Sequence, residues 1–398
     1  MDYFLVSLIK IAVVFGAFMT TLAYLQWIER KVLAHIQLRL GPQRVGPHGL
    51  LQPLADVIKL ATKEGVIPAN VNTFFYVLAP FLAVSLALIS ISVIPFGPAI
   101  ELFGVRTNLE LASVNISVLL ILAISSVGVY GIALGGWASN NKYSLMGGLR
   151  SSAQMISYEL PMAISLVTPL LVLNTLDLRQ IAERQAGGWF WNWAAFSAPP
   201  FVFFAFIVFL IAAFAETNRI PFDLPEAENE LVAGFHTEYS SLAFAGFFMA
   251  EYANMVTITC VATTVFLGGW HPPFPAPYSN FVPTALFWFF GAVLLFHGLM
   301  QPARRWDRFT FPIFGIISLG LGAIFLVAAT LLPIIGQILL PVFWFVAKVG
   351  VLLFIFIWVR GTLPRFRYDQ LMRFTWTFLF PVALGCLLLT GLWVAILG

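Results

Sequence analysis

Ten runs of about 20 or more mostly apolar residues recur along this chain of 398, at 3–27, 74–96, 113–134, 154–176, 196–216, 240–268, 282–300, 311–333, 338–359 and 372–397. About 20 such residues in a helix cross the roughly 30 Å hydrocarbon core of a bilayer. Backbone groups in lipid must be satisfied within the segment, so runs of this length read as helices. Strands would instead show alternation over about ten residues, and none is visible. The sequence therefore predicts an all-α polytopic membrane protein of about ten spans. Composition agrees: 60% of residues are apolar and 10% charged, against roughly 45–50% and 25% in soluble domains, and the mean hydropathy is +0.91. The first run is too long to be a cleaved leader.

Lysine and arginine set the orientation. Loops after the odd-numbered spans hold sixteen: Arg30, Lys31, Arg39, Arg44, Lys59, Lys63, Lys142, Arg150, Arg219, Arg304, Arg305, Arg308, Arg360, Arg365, Arg367 and Arg373. The opposite loops hold Arg106, Arg179 and Arg184. The positive-inside rule puts the basic side in the cytoplasm and both termini outside. A net charge of +3 gives no reason to expect nucleic acid as a partner. Two distant cysteines, Cys260 and Cys386, and five scattered histidines lack the grouped ligands of an iron–sulfur or zinc site. Any redox cofactor must then belong to another chain.

Between the first two spans, Leu50, Leu51, Leu54, Val57, Ile58 and Ala61 share one helical face, opposite Gln52, Asp56, Lys59 and Lys63. Such a helix lies along the membrane surface, as packing or as one wall of an opening for an amphiphile. Charges inside spans cost about 2.5–3.5 kcal/mol on insertion scales and invite a role. Glu159 is expected roughly 8 Å into span 4, and Glu251 roughly 20 Å into span 6. Lys348 in span 9 stands at a depth from which it could pair with Glu251. Lys10 is near enough to an end to snorkel.

The densest chemistry lies at 215–239, with Glu216, Asp223, Glu226, Glu228, Glu230 and Glu238 offset only by Arg219 and His236. Crowded acids raise one another's pKa values and titrate as a set, as a proton route requires. A solvated, well-capped loop is the plainer alternative. A basic cluster, Arg360 to Leu371, joins the last two spans and suits lipid phosphates, a partner's acids or the acidic loop. No nucleotide loop, nucleophile elbow or zinc-protease motif is present.

Several stretches closely resemble the membrane-subunit family of respiratory complex I, NADH-quinone oxidoreductase, called the H subunit in bacteria and subunit 1 in mitochondria. They are Glu29-Arg30-Lys31, Gln37 to Glu64, Gly136-Trp-Ala-Ser-Asn, Ala153-Gln154, Ser157-Tyr158-Glu159, Ala215 to Tyr239, Met249 to Tyr252 and Pro364 to Leu371. The likeness covers about four-fifths of the chain. It implies a heel subunit whose quinone chamber opens between the first span, the surface helix and their neighbours. Arg30, Arg39, Phe222, Asp223, Arg360 and Arg365 would line or support that chamber. Glu159, Glu216, Glu226, Glu228, Glu230, Glu251 and Lys348 would form the route coupling quinone reduction to proton movement. Quinone is then the substrate, and no cofactor is bound by this chain.

The same resemblance places FMN and iron–sulfur clusters in partner subunits of a hetero-oligomeric complex. Its partners would be peripheral-arm iron–sulfur subunits, antiporter-like membrane subunits and lipids, in a bacterial inner membrane. The family usually has eight spans. Residues 269–337 are thus expected to be an extra two-helix hairpin between core segments 1–268 and 338–398. The equivalent subunit of a membrane-bound hydrogenase or of a quinone oxidoreductase fed by another electron donor, a stand-alone cation/proton antiporter and a structural anchor are the alternatives.

Overall fold

The computed structural model describes residues 2–102, 105–197, 199–223, 233–276, 278–300 and 307–397. Among these, nine helices are long and apolar enough to span a bilayer. They are α1 (Asp2–Ile36), α3 (Thr73–Ser90), α4 (Ser117–Ala138), α5 (Lys142–Leu173), α7 (Ser241–Phe266), α8 (Tyr278–Leu299), α9 (Asp307–Thr330), α10 (Pro333–Thr362) and α11 (Tyr368–Ile396). A tenth, α6 (Phe201–Glu216), has only 16 residues. All ten expected runs thus contain a helix, and the chain is an integral membrane protein. The surface helix is α2 (Gln52–Thr62), with Leu51, Leu54, Val57 and Ile58 exposed along its apolar side. The one sheet among the described residues is a small hairpin, β1 (Ile100–Leu102) with β2 (Val105–Thr107), pairing Ile100 with Thr107 and Glu101 with Arg106.

Hydrogen bonds between loops bear out the expected alternation of faces. On the basic side, Val66 N donates to Ser240 Oγ (2.9 Å), Asn140 Nδ2 to Asn70 O (2.9 Å) and Phe366 N to Pro221 O (3.2 Å). On the other, Leu178 N donates to Ser117 Oγ (2.8 Å) and Gln185 Nε2 to Thr264 O (2.9 Å). Phe190, Trp191, Trp193 and Phe196 cluster there in edge and tilted contacts, as aromatic rings do at a membrane–water boundary.

The two largest departures from the expected boundaries are in α1 and α5. The first span continues to Ile36, and the fourth begins at Lys142, twelve residues before the apolar run. That early part of α5 looks like loop because it is polar. Ser144 and Ser151 are nevertheless wholly buried, and Ser144 Oγ donates to Phe235 O (2.9 Å). Helix association in lipid rests on close packing rather than on hydrophobic burial. Small residues supply it here: a Cβ on Gly136 would stand 3.0 Å from the Gly148 Cα, so α4 and α5 touch through backbone.

The centre of the bundle is α5, α6 and α7, where Tyr158, Phe209, Met255 and Phe266 are fully buried. Helices α8 and α9 pack closely on each other. They meet α10 through Phe287, Phe325 and Phe343, whose centroids lie 5.4–6.1 Å apart.

Candidate functional site

The site follows from the shortness of α6. Sixteen residues rise about 24 Å, less than the roughly 30 Å hydrocarbon core, while α5 and α7 have 32 and 26 residues. The chain therefore turns back inside the protein. Glu216, Thr217, Asn218, Arg219, Phe222 and Asp223 are all buried. Irregular backbone at such depth is tolerated only where protein satisfies it. Gln154 of α5, itself fully buried, does so: its Nε2 donates to Ala215 O (3.0 Å) and Phe222 O (2.8 Å). The solvated-loop alternative fails for these residues.

Two carboxylates meet consecutive hydroxyls on α4. Ser125 Oγ donates to Glu216 Oε1 (2.6 Å), and Ser126 Oγ donates to Glu159 Oε1. Glu159 lies 17 residues into α5, roughly 26 Å along it, because the helix starts well before the apolar run. A cavity of about 60 Å³ next to Ser125 is lined by Glu216, Thr217, Asn218, Glu251 and Asn254. A water needs about 10–15 Å³ by this measure, so the cavity has room for several between Glu216 and Glu251.

Beyond the cavity the acids alternate with arginines. Arg219 Nε lies 3.0 Å from Glu251 Oε1, its Nη1 lies 3.3 Å from Glu29 Oε1, and its guanidinium sits 4.2 Å from the Tyr252 ring centroid. Arg360 Nη1 donates to the same Glu29 carboxylate. Arg365 Nη2 donates to Asp223 Oδ2 (3.0 Å). Nearer the surface, Arg30 Nη1 donates to Asp56 Oδ2 of α2 (2.9 Å). Residues from α1, α4, α5, α6, α7 and α10, with the turns after α6 and α10, thus form one array. Hydroxyls between carboxylates can pass a proton, and guanidinium groups favour the charged form of the carboxylates beside them.

Of the expected chamber residues, Phe222 is buried between Tyr158 and Phe366, with centroids at 5.4 and 5.7 Å. Asp223, Arg360 and Arg365 belong to the array, whereas Arg39 is exposed just after α1. Glu226, Glu228 and Glu230 lie outside the described residues.

Three readings need correction. Lys348 does not pair with Glu251: its Nζ donates to Leu267 O (2.6 Å) and Gly269 O (2.8 Å) and lies 4.0 Å from the Trp193 ring centroid. Depth along a helix had suggested the pair, but depth leaves the direction around the helix axis open. Lys10 does not snorkel, since its Nζ donates to Thr107 Oγ1 (2.9 Å), Asn108 O (3.2 Å) and Glu110 O (3.1 Å). His236 does not offset the acids. It sits among Phe235, Phe244 and Phe248, and burial pushes its pKa down to about 4, leaving it neutral near pH 7.

Sequence reasoning missed Glu29, Ser125 and Ser126, and did not see that Arg219 is the counter-ion of Glu251. Glu29 carried a signal: an acid two residues past the apparent end of an apolar run stays inside the helix if that helix continues. Nothing comparable marks the serines.

A family model described as NADH dehydrogenase matches residues 9–391. A protein of Solibacter usitatus, named as H subunit 1 of NADH-quinone oxidoreductase, is 64% identical over 395 residues, 99% of this chain and 98% of its own. One of Koribacter versatilis, named as H subunit 2 of NADH-quinone oxidoreductase, is 47% identical over 404 residues, 99% of this chain and 98% of its own. A third, the NADH-quinone oxidoreductase H subunit of Protochlamydia amoebophila, is 44% identical over 372 residues, covering 94% and 92%.

Proposed function

Because this chain belongs to the NADH dehydrogenase family, alongside the H-subunit chains of NADH-quinone oxidoreductases, we propose that it forms part of a quinone chamber and the first stretch of a proton route in such a complex. The observation that carries this reading is the buried array itself. It leads from Asp56 and Arg30 at the surface helix, beside the Glu29–Arg360 and Asp223–Arg365 pairs, to Arg219 and Glu251 and then to Glu216 and Glu159. One end adjoins an amphipathic helix suited to admitting an amphiphile from the bilayer. The other is a row of carboxylates inside the protein.

Phe222 supplies an apolar wall, and the guanidinium groups orient polar atoms. Adding electrons to a quinone head makes it take up protons, and carboxylates with hydroxyls at their ends are suited to redistribute that charge inward. Glu226, Glu228 and Glu230 would continue the row at the turn, and Lys348 would extend it towards the opposite face. Electrons would come from flavin and iron–sulfur groups in peripheral-arm partners. Antiporter-like membrane subunits would receive the coupling. The basic face would be cytoplasmic, in a bacterial inner membrane.

Gentle-detergent purification through a tag on this chain tests the reading. Flavin and iron–sulfur proteins should co-purify, with inhibitor-sensitive quinone reduction in the same sample. A chain recovered alone that exchanges cations for protons in liposomes would overturn it.

A further inference from the structure

The two-helix hairpin α8–α9 takes no part in the array, yet its basic-side end grips the loop from which the surface helix starts. His48 lies in the α1–α2 loop, and its Nε2 is 2.8 Å from Thr310 Oγ1 and 3.4 Å from Asp307 Oδ1. Its ring stacks on Phe311 at 5.2 Å with the planes 15° apart. All three partners lie in the first turn and a half of α9.

His48 has φ 53°, a left-handed conformation that side chains other than glycine adopt at a cost and keep when their surroundings impose it. The loop around it is tightly wound. Leu51 N donates to Val45 O (3.2 Å), and a Cβ on Gly49, itself at φ +76°, would meet Pro42 O at 2.4 Å. Within this fold His48 is turned outward onto α9.

The rest of α2 shows why that grip matters. Its C-terminal end is tied to the start of α7, where Ser241 Oγ donates to Leu60 O (3.0 Å) and Lys63 O (2.9 Å). Its middle is tied to α1 through Arg30 and Asp56. Its N-terminal end emerges from the loop that α9 holds. The hairpin is in turn fixed to α10 by the Phe287, Phe325 and Phe343 contacts, and Trp344 Nε1 donates to Ser279 O (3.2 Å). The same α10 carries Arg360, which holds Glu29 on α1.

We propose that the basic-side end of the α8–α9 hairpin clamps the α1–α2 loop and so sets the position of the surface helix at the chamber mouth, with His48 as the positioning residue. The inference rests on the reading that quinone enters beside α2. The clamp touches no reacting atom, so it acts on entry rather than on the chemistry at the far end.

The test uses the whole complex with His48→Ala and, separately, Thr310→Val, each normalised to NADH oxidation by an artificial acceptor. Both should raise the apparent KM for a long-chain quinone several-fold with kcat near wild type. His48→Gln, which keeps a donor for Thr310, should restore most of the affinity. Wild-type KM in both variants would overturn the clamp, as would loss of kcat at unchanged KM or failure of both variants to assemble. Asp223→Asn, run in parallel, separates the two ideas. If it lowers quinone turnover while the clamp variants behave as wild type, only the clamp fails. If it too is without effect, the chamber reading fails.

Discussion

Glu29 shows how much depends on single buried charges. It is 4% exposed and faces two guanidinium groups, Arg219 and Arg360. Removing one partner of a buried ion pair leaves an uncompensated charge and costs about 3–5 kcal/mol. Glu29→Gln should therefore lower the thermal stability of the complex by about that much. Arg30→Gln breaks a pair whose arginine side chain is 44% exposed, and should cost about 1 kcal/mol or less. Equal melting shifts for the two variants would contradict this ranking. His236 gives a pH signature. Its folded pKa of about 4 lies below the ordinary value of 6.5, so between those values the unfolded chain binds the extra proton. Stability is full above pH 6.5 and falls as pH drops towards 4. His271, also pushed down to about 4 by burial and then by the charge of Lys348, acts in the same direction. His236→Asn should lose less stability than wild type over that window, measured by melting in detergent at stepped pH. An unchanged acid profile would refute it. At this scale the cost of burying a charge was enough to single out Glu159 and Glu251, and the crowding of acids singled out Glu216. The partners were not legible, because Arg219 reaches Glu29 across 190 residues of sequence and spacing carries no record of which helices become neighbours.

Among the elements, α6 and the glycines of α5 do most to build the site. The end of α6 at Glu216 is where the expected run stopped, but its shortness was not visible, because the run was expected from 196 and the helix starts only at Phe201, after Pro199 and Pro200. That the following loop is buried was not visible, because the residues burying it belong to other helices. Gly147 is one of them: a Cβ there would lie 2.8 Å from the backbone of Gly234, where the acidic loop returns to the bundle. Backbone cannot step aside as a flexible side chain can, so Gly147→Val should displace residues 234–236 at a cost of about 1–3 kcal/mol. Quinone-coupled turnover should fall, whereas Gly320→Ala in α9, with nothing within 4 Å of the added carbon, should leave it unchanged. Assaying both variants in membranes decides this, and a Gly147→Val complex with normal turnover would sink it. The early start of α5 went unread for the same reason. Ser144 and Ser151 look like loop residues to any scale that expects polar groups to meet water, but protein covers them here.

Across the whole molecule, two patterns agree. Basic residues crowd the face on which the α1–α2 loop, the return of the acidic loop and the turn after α10 bond to one another, while the opposite face is tied together by hydroxyls, amides and lysine-to-carbonyl contacts. Among the described residues, the carboxylates Glu29, Glu159, Glu216, Asp223 and Glu251 lie between these faces in ion pairs or beside hydroxyls. The most direct measurement compares two activities of a Glu216→Gln complex in membrane vesicles, NADH oxidation coupled to quinone and NADH oxidation by an artificial acceptor. A carboxylate route through Glu216 predicts a large loss of the first, with proton uptake falling alongside it, and near-wild-type values for the second. Equal loss of both, or no loss of either, would contradict it.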